Sequence, residues 1–219
     1  MFYKAVPKHV ASIIGKLNSF PLPNNTYMAG GTAVTLYLGH RVSVDIDLFT
    51  KENFFTGPII DAIRTTGSIS VESISDRDSF VVEVEGVRLS LFFYPYLLLE
   101  PLYYDQVNKI ALASLIDIAA MKTVAIVQRG TAKDFIDLKA IMEATDMSLE
   151  RLITATLKKY GTPENYAYHI KRGLVFFDDA EKGLKDVILL KDFSFQYLIS
   201  QIEWEEVKRF FINLVFKHN

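Results

Sequence analysis

Residues 28–49 read MAGGTAVTLYLGHRVSVDIDLF, and the two ends of that stretch decide the fold. At its far end, Val44-Asp45-Ile46-Asp47-Leu48-Phe49 alternates apolar and acidic residues. A period of two belongs to a β-strand, so Val44, Ile46 and Leu48 are predicted on one face and Asp45 and Asp47 together on the other. At its near end, Thr26 to Ala29 reads as a strand running into Gly30-Gly31. Thr32 to Leu38 then reads as a short helix that Gly39 stops.

Working outward, a helical pattern from Pro7 to Phe20 ends in PLPNN, whose prolines cannot continue a helix. A helix over Pro58 to Thr66 precedes three strand-like runs, Ser68–Ser75, Ser79–Glu85 and Val87–Tyr94. The last two meet at Glu85-Gly86, a tight antiparallel hairpin signal. Past Leu112 the periodicity turns helical, with segments at Ser114–Gln128, Thr131–Thr145, Ser148–Lys159, Glu164–Ala180 and Glu203–Phe216. The expected fold class is α+β: a mixed-sheet domain over residues 1–108 followed by a helical domain over 109–219.

The 219 residues are half hydrophobic and 13% aromatic, which suits a globular chain and excludes a disordered one. Without any cysteine, disulfides, thiolate zinc sites and thiol nucleophiles are excluded, and four scattered histidines do not make a zinc site. A net charge of −2 shows no basic excess of the kind that marks nucleic-acid binders. The N-terminal MFYKAVPKHV lacks a continuous apolar stretch, and the run from Leu91 to Tyr104 is broken by Pro95, Glu100 and Pro101. Neither secretion nor a membrane span is therefore expected, and the expected location is cytoplasmic.

Two carboxylates on one strand face lie about 6.6 Å apart at the backbone. At an effective dielectric of 20 their repulsion is on the order of 2.5 kcal/mol. Either water solvates that face, or a divalent cation sits there; Mg²⁺ prefers carboxylate oxygens and is commonly shared with substrate phosphates. Gly30-Gly31 is open to two readings as well, a plain turn or a helix opening whose bare N–H groups hold phosphate. Thirteen residues separate the glycine pair from Asp45, which would put a phosphate cradle and a metal clamp on adjacent elements.

Together, AGGTAVTLYLGHRVSVDIDLF and the downstream LIDIAAMKTVAIVQRGTAKDFIDL resemble the AbiEii-type nucleotidyltransferases, a toxin-associated branch of the DNA polymerase β-like superfamily. The resemblance implies that Gly30 and Gly31, with Thr32 beside them, face a nucleoside triphosphate, that Asp45 and Asp47 bind Mg²⁺ or Mn²⁺, and that Lys122 neutralises phosphate charge. It places Asp134 and Asp137 in the family's last motif. Residues three apart share a helix face, so both can point one way; an exposed acidic face pairing with Lys133 or Arg129 is the alternative. His40 and Arg41 precede the acidic strand within reach of a nucleotide or serve the surface. Asp117, five residues before Lys122, falls off its helix face.

One departure stands out. Polymerase β-like enzymes add a third carboxylate from a neighbouring strand, and the aligned position here is Ser90. The site is then weaker, recruits Asp134 or Glu83, or is inactive; Glu83 and Glu85 read as solvent-exposed. The implied activity is transfer of a nucleoside monophosphate to an RNA, tRNA especially, or to a protein hydroxyl, with an antitoxin as partner. The alternative is a degenerate nucleotidyltransferase fold that only binds nucleotide or a partner. Lys158-Lys159 and Lys171-Arg172, with Tyr160, Tyr166 and Tyr168, either line an RNA path or are ordinary surface charges and packing aromatics.

Overall fold

The computed structural model describes residues 1–192 and 195–216. In chain order the elements are α1 (Lys8–Lys16), β1 (Tyr27–Ala29), α2 (Gly30–Leu38), β2 (Ile46–Thr50), α3 (Thr56–Arg64), β3 (Ile69–Ile74), β4 (Ser79–Val84), β5 (Val87–Phe93), β6 (Tyr103–Asp105) and β7 (Ile110–Leu112). Helices α4 (Leu115–Gln128), α5 (Ala132–Thr145), α6 (Leu149–Tyr160), α7 (Tyr166–Leu174) and α8 (Asp178–Glu181) follow, then a hairpin of β8 (Ile188–Lys191) and β9 (Phe195–Leu198), and α9 (Gln201–Phe216). The fold is α+β, as expected. No helix among the described residues is long and apolar enough to cross a membrane.

Several local signals act as their chemistry dictates. Glu85 and Gly86 both have positive φ, 51° and 78°, the backbone that a two-residue hairpin turn between right-twisted strands requires. Gly39 takes the left-handed conformation that closes α2, its N–H donating to the Thr35 carbonyl at 2.8 Å. Ser114 and Ser148 cap α4 and α6, accepting from the N–H groups of Asp117 and Arg151.

β1 to β7 form one mixed sheet in the order β3-β4-β5-β2-β1-β7-β6, with β1–β7 and β2–β5 parallel and the other pairs antiparallel. Register fixes the site. Ala29, the last residue before the glycine pair, lies opposite Asp47, and Asp47 lies opposite Ser90. The start of α2, the acidic strand and β5 thus converge at one end of the central strands.

The structure corrects the predicted acidic strand at its start. β2 begins at Ile46, and Val44 is 44% exposed rather than facing the core. The reason is tertiary: the preceding segment is captured by β8, with the Val42 N–H donating to the Ile188 carbonyl at 2.9 Å and the Leu190 N–H to the His40 carbonyl at 3.1 Å. β6 to β9 have no counterpart in the sequence reading, since three or four residues are too few to display a period. The sheet runs on through β7 to Leu112, past residue 108. The predicted Glu164–Ala180 helix is two helices, and between them Phe177 turns inward against Phe135 at 5.2 Å between ring centres.

One apolar cluster joins both regions. It contains Met28, Leu48 and Leu91 of the sheet as well as Phe135, Trp204 and Phe211 of the helices. Because α2 packs on α4 and α5 as well as on β1 and β2, the glycine end of α2 is held from both sides.

Candidate active site

Two clefts meet at the acidic pair. The first, about 330 Å³, is lined by Gly31, Arg41, Ser43, Thr131, Lys133 and Asp186, and the second, about 440 Å³, by Gly30, Phe49, Arg88, Phe92, Tyr94 and Tyr160. Asp45, Asp47, Lys122, Arg129 and Asp134 line both.

The carboxylates differ in their surroundings. Asp47 accepts a 2.8 Å hydrogen bond from the Ser90 hydroxyl, which is fully buried at the position expected for a third carboxylate. Asp45 is tethered through its backbone, its carbonyl accepting from the Thr32 hydroxyl. Its carboxylate has no hydrogen bond or ion pair among the described residues. Partial burial, then the charge of Asp47, pushes the Asp45 carboxyl above its usual range. This donor set fits a hard divalent cation that keeps waters and shares phosphate oxygens. No group of three or more acidic or histidine side chains among the described residues could hold a cation unaided.

Glycine at 30 and 31 is required by close approach. Gly30 has φ +71°, and a Cβ there would sit 2.5 Å from Asp47 Oδ2. At Gly31 a Cβ would fall 2.2 Å from Arg41 Nη2 and 2.8 Å from Ser43 Oγ. Arg41 cannot swing aside, because its fork grips Asp137 at 2.6 and 2.8 Å. Gly31→Ala is therefore expected to lower stability by about 1–3 kcal/mol, as overpacking does, and a urea melt checks this. An unchanged midpoint would mean that the guanidinium yields freely.

The remaining predicted residues divide. Lys122 lies in both clefts, held at 3.0 Å from Asp134 and 2.7 Å from Asp137. Asp134 is bound by Lys122, by Arg129 at 3.2 Å and by the Thr131 hydroxyl at 2.7 Å. Burial pushes its carboxyl up, but Lys122 and Arg129 outweigh burial and hold it below the usual range. Asp137 lines neither cleft. It is fully buried among Arg41, Lys122 and His40, and burial is again outweighed, so its carboxyl sits well below the ordinary value. His40 also faces away from both clefts, its Nε2 2.7 Å from Asp137, and Thr32 is buried beneath Asp45. Burial pushes the His40 pKa down despite Asp137.

Asp117, set aside from the sequence, is wholly buried, 2.7 Å from Lys159, and accepts from the N–H groups of Leu99 and Glu100. Lys159 therefore cannot line an RNA path: its ammonium is spent on Asp117 and the Leu97 carbonyl. Glu83 and Glu85 are exposed as expected, and Glu85 pairs with Lys16 at 2.8 Å. Arg88, Phe92 and Arg129 were overlooked as site residues. Arg88 and Phe92 flank Ser90 at a spacing of two, so the strand period was the signal for them. Asp186 comes from beside the unpredicted hairpin and left no local signal.

Glycines at a strand-to-helix turn beside paired acids and fixed cations make an arrangement suited to phosphate esters. Residues 15–99 and 76–213 match the family described as nucleotidyl transferase AbiEii toxin, type IV TA system. A curated relative, an uncharacterized protein of Aquifex aeolicus (strain VF5), is 32% identical over 214 residues, 95% of each chain. Two solved structures are similar at a distance. They are the nucleotidyltransferase toxin MenT4 from Mycobacterium tuberculosis H37Rv (12% identity, TM-score 0.49, 97% of this chain and 85% of that one) and the antibiotic-resistance factor ANT(2'')-Ia (15% identity, TM-score 0.48, 74% and 95%). This chain belongs to the AbiEii family of nucleotidyltransferase toxins.

Proposed function

We propose that the enzyme transfers a nucleoside monophosphate from a nucleoside triphosphate to a hydroxyl of an RNA, tRNA in particular, or of a protein, releasing pyrophosphate. In this reading it acts in the cytoplasm as the toxin of a toxin–antitoxin pair. The observation that carries the proposal is the Asp45–Asp47 pair at the junction of two clefts, with the Asp45 carboxylate unpaired among the described residues. Two clefts meeting at one acidic pair suit a reaction that brings two substrates together.

Asp45 and Asp47 would hold Mg²⁺ or Mn²⁺, which when bound supplies neutralisation of phosphate charge. The chain's own residues do the rest. Gly31 lets the opening of α2 lie close against Arg41 at the wall of the first cleft. Lys122, pinned between two aspartates, keeps a positive charge fixed beside the pair, and Ser90 orients Asp47 through its hydroxyl. Ser90→Ala is expected to reduce turnover about five- to tenfold, the loss of roughly one hydrogen bond, with triphosphate binding retained; full activity in that variant would remove the orienting role.

The test is incubation of purified protein with each α-labelled triphosphate, Mg²⁺ and total cellular RNA, beside an Asp45→Asn/Asp47→Asn variant. Label on RNA or protein with the wild type alone supports the proposal and begins to name the acceptor. Ser90 favours a second reading, a nucleotide-binding module without turnover. Absent transfer with intact triphosphate binding would establish that one instead.

A further inference from the structure

We propose that Arg129 is a movable arm that leaves Asp134 to grip the terminal phosphates of the triphosphate, an inference that rests on the reading above and names a binding residue for it. Among the cations lining the clefts, Arg41 is committed to Asp137 through two short bonds, and Lys122 to Asp134 and Asp137 together. Both are nearly buried. Either one turning toward a ligand would take from fully buried Asp137 one of the two cations that compensate it, and would carry a buried charge out of short, direct contacts. Lys133 is unpaired among the described residues but lines the first cleft alone, and Arg88 lines only the second and is bound to Glu72 at 3.0 Å.

Arg129 differs on each count. Its side chain is 66% exposed and lines both clefts, and its bonds to Asp134 are long, 3.2 Å from Nε and 3.4 Å from Nη2. Its departure would not strand Asp134, which keeps Lys122 at 3.0 Å and the Thr131 hydroxyl at 2.7 Å. The backbone beneath it is fixed: the N–H groups of Arg129 and Gly130 both donate to the Ala125 carbonyl, at 2.8 and 3.1 Å. The shoulder is rigid, and the arm is held only by the two long bonds to Asp134. A planar guanidinium with several donors matches a polyphosphate chain, where one phosphate engages Nε and Nη and the next the other nitrogen.

Phosphate-chain length is the readout that tests this. Mg²⁺-containing titrations of the full chain with nucleoside triphosphate, with the matching monophosphate and with inorganic pyrophosphate as competitor would be run on wild type, Arg129→Gln, Arg129→Lys and the surface control Arg172→Gln. The expected result is that wild type prefers triphosphate over monophosphate and that Arg129→Gln narrows this preference about tenfold by weakening triphosphate alone, the effect of losing one charged hydrogen-bonding group. Arg129→Lys should recover part of it, Arg172→Gln should match wild type, and pyrophosphate should compete less well in Arg129→Gln. An unchanged preference in Arg129→Gln, or an equal loss for both nucleotides, would overturn the assignment. A melting temperature lowered by more than about 4 °C, upwards of 1 kcal/mol for a chain of this size, would overturn it too, since Arg129 would then be structural. A wild type that binds no triphosphate would instead sink the functional proposal itself.

Discussion

Asparagine at both Asp45 and Asp47 is expected to reduce nucleotide transfer by a factor of about 10³ or more, in line with removal of the charges that organise a metal-assisted phosphoryl site. Stability should not fall with it. Burial and the charge of Asp47 raise the Asp45 carboxyl above its usual range, so the folded state binds that proton more tightly than the unfolded chain. Stability therefore falls as pH rises from the ordinary carboxylate value through the raised one, and the full cost is present at neutral pH. An uncharged side chain removes that cost. Thermal melts of the double variant at neutral pH should match or exceed wild type, beside labelled-triphosphate assays that read the lost transfer. A variant that melts several degrees lower would recast the pair as part of the scaffold.

The second large effect lies one layer deeper and has the opposite signature. Asp137→Asn is expected to destabilise the protein by about 3–5 kcal/mol, a large share of the roughly 5–15 kcal/mol that holds a domain together. Asp137 is the counter-charge for Arg41 and Lys122, and asparagine leaves both buried beside a neutral amide. The depressed carboxyl also gives the pH dependence its sign. Between the folded value and the ordinary one the unfolded chain binds more protons, so this stabilisation is complete above about pH 4 and is lost as pH falls below it. The variant's stability curve should be flatter over that acid range. Chemical denaturation at pH 7 and pH 3 reads both quantities; a wild-type-like midpoint with lost transfer would return Asp137 to a direct role in chemistry.

These two variants separate residues that look alike in sequence. Asp45, Asp47, Asp134 and Asp137 are four aspartates in two short motifs, and the spacing of each motif states only which neighbours share a face. For the first pair the strand period holds at Asp47 and not at Asp45, which precedes β2. A period of two with Ile46 and Leu48 buried leaves Asp47 on the open face of the sheet, and the glycine pair at the end of β1 falls beside it through the Ala29–Asp47 register. For the second pair spacing was not enough. Asp134 and Asp137 do share a helix face, yet Asp134 lines both clefts and Asp137 lines neither, because the side chains of His40 and Arg41 close over Asp137. Lys159 shows the same limit: adjacent to Lys158 in a basic pair, it is buried because Asp117, 42 residues earlier, lies under α6.

The sequence by itself determined the α+β class, the strand–glycine–helix turn, the acidic strand and the β4–β5 hairpin. Each follows from dihedral preferences and side-chain periods that act over a few residues. Only the tertiary structure decided where β2 begins, since the bonds to β8 that draw off residues 40–42 join positions nearly 150 apart in the chain. It alone decided which charges are spent in buried pairs and which, like Arg129, are held in an exposed pair at the wall of both clefts. The energy of a charged side chain depends on the water removed from it and the counter-charge brought to it, and both are supplied by distant parts of the chain.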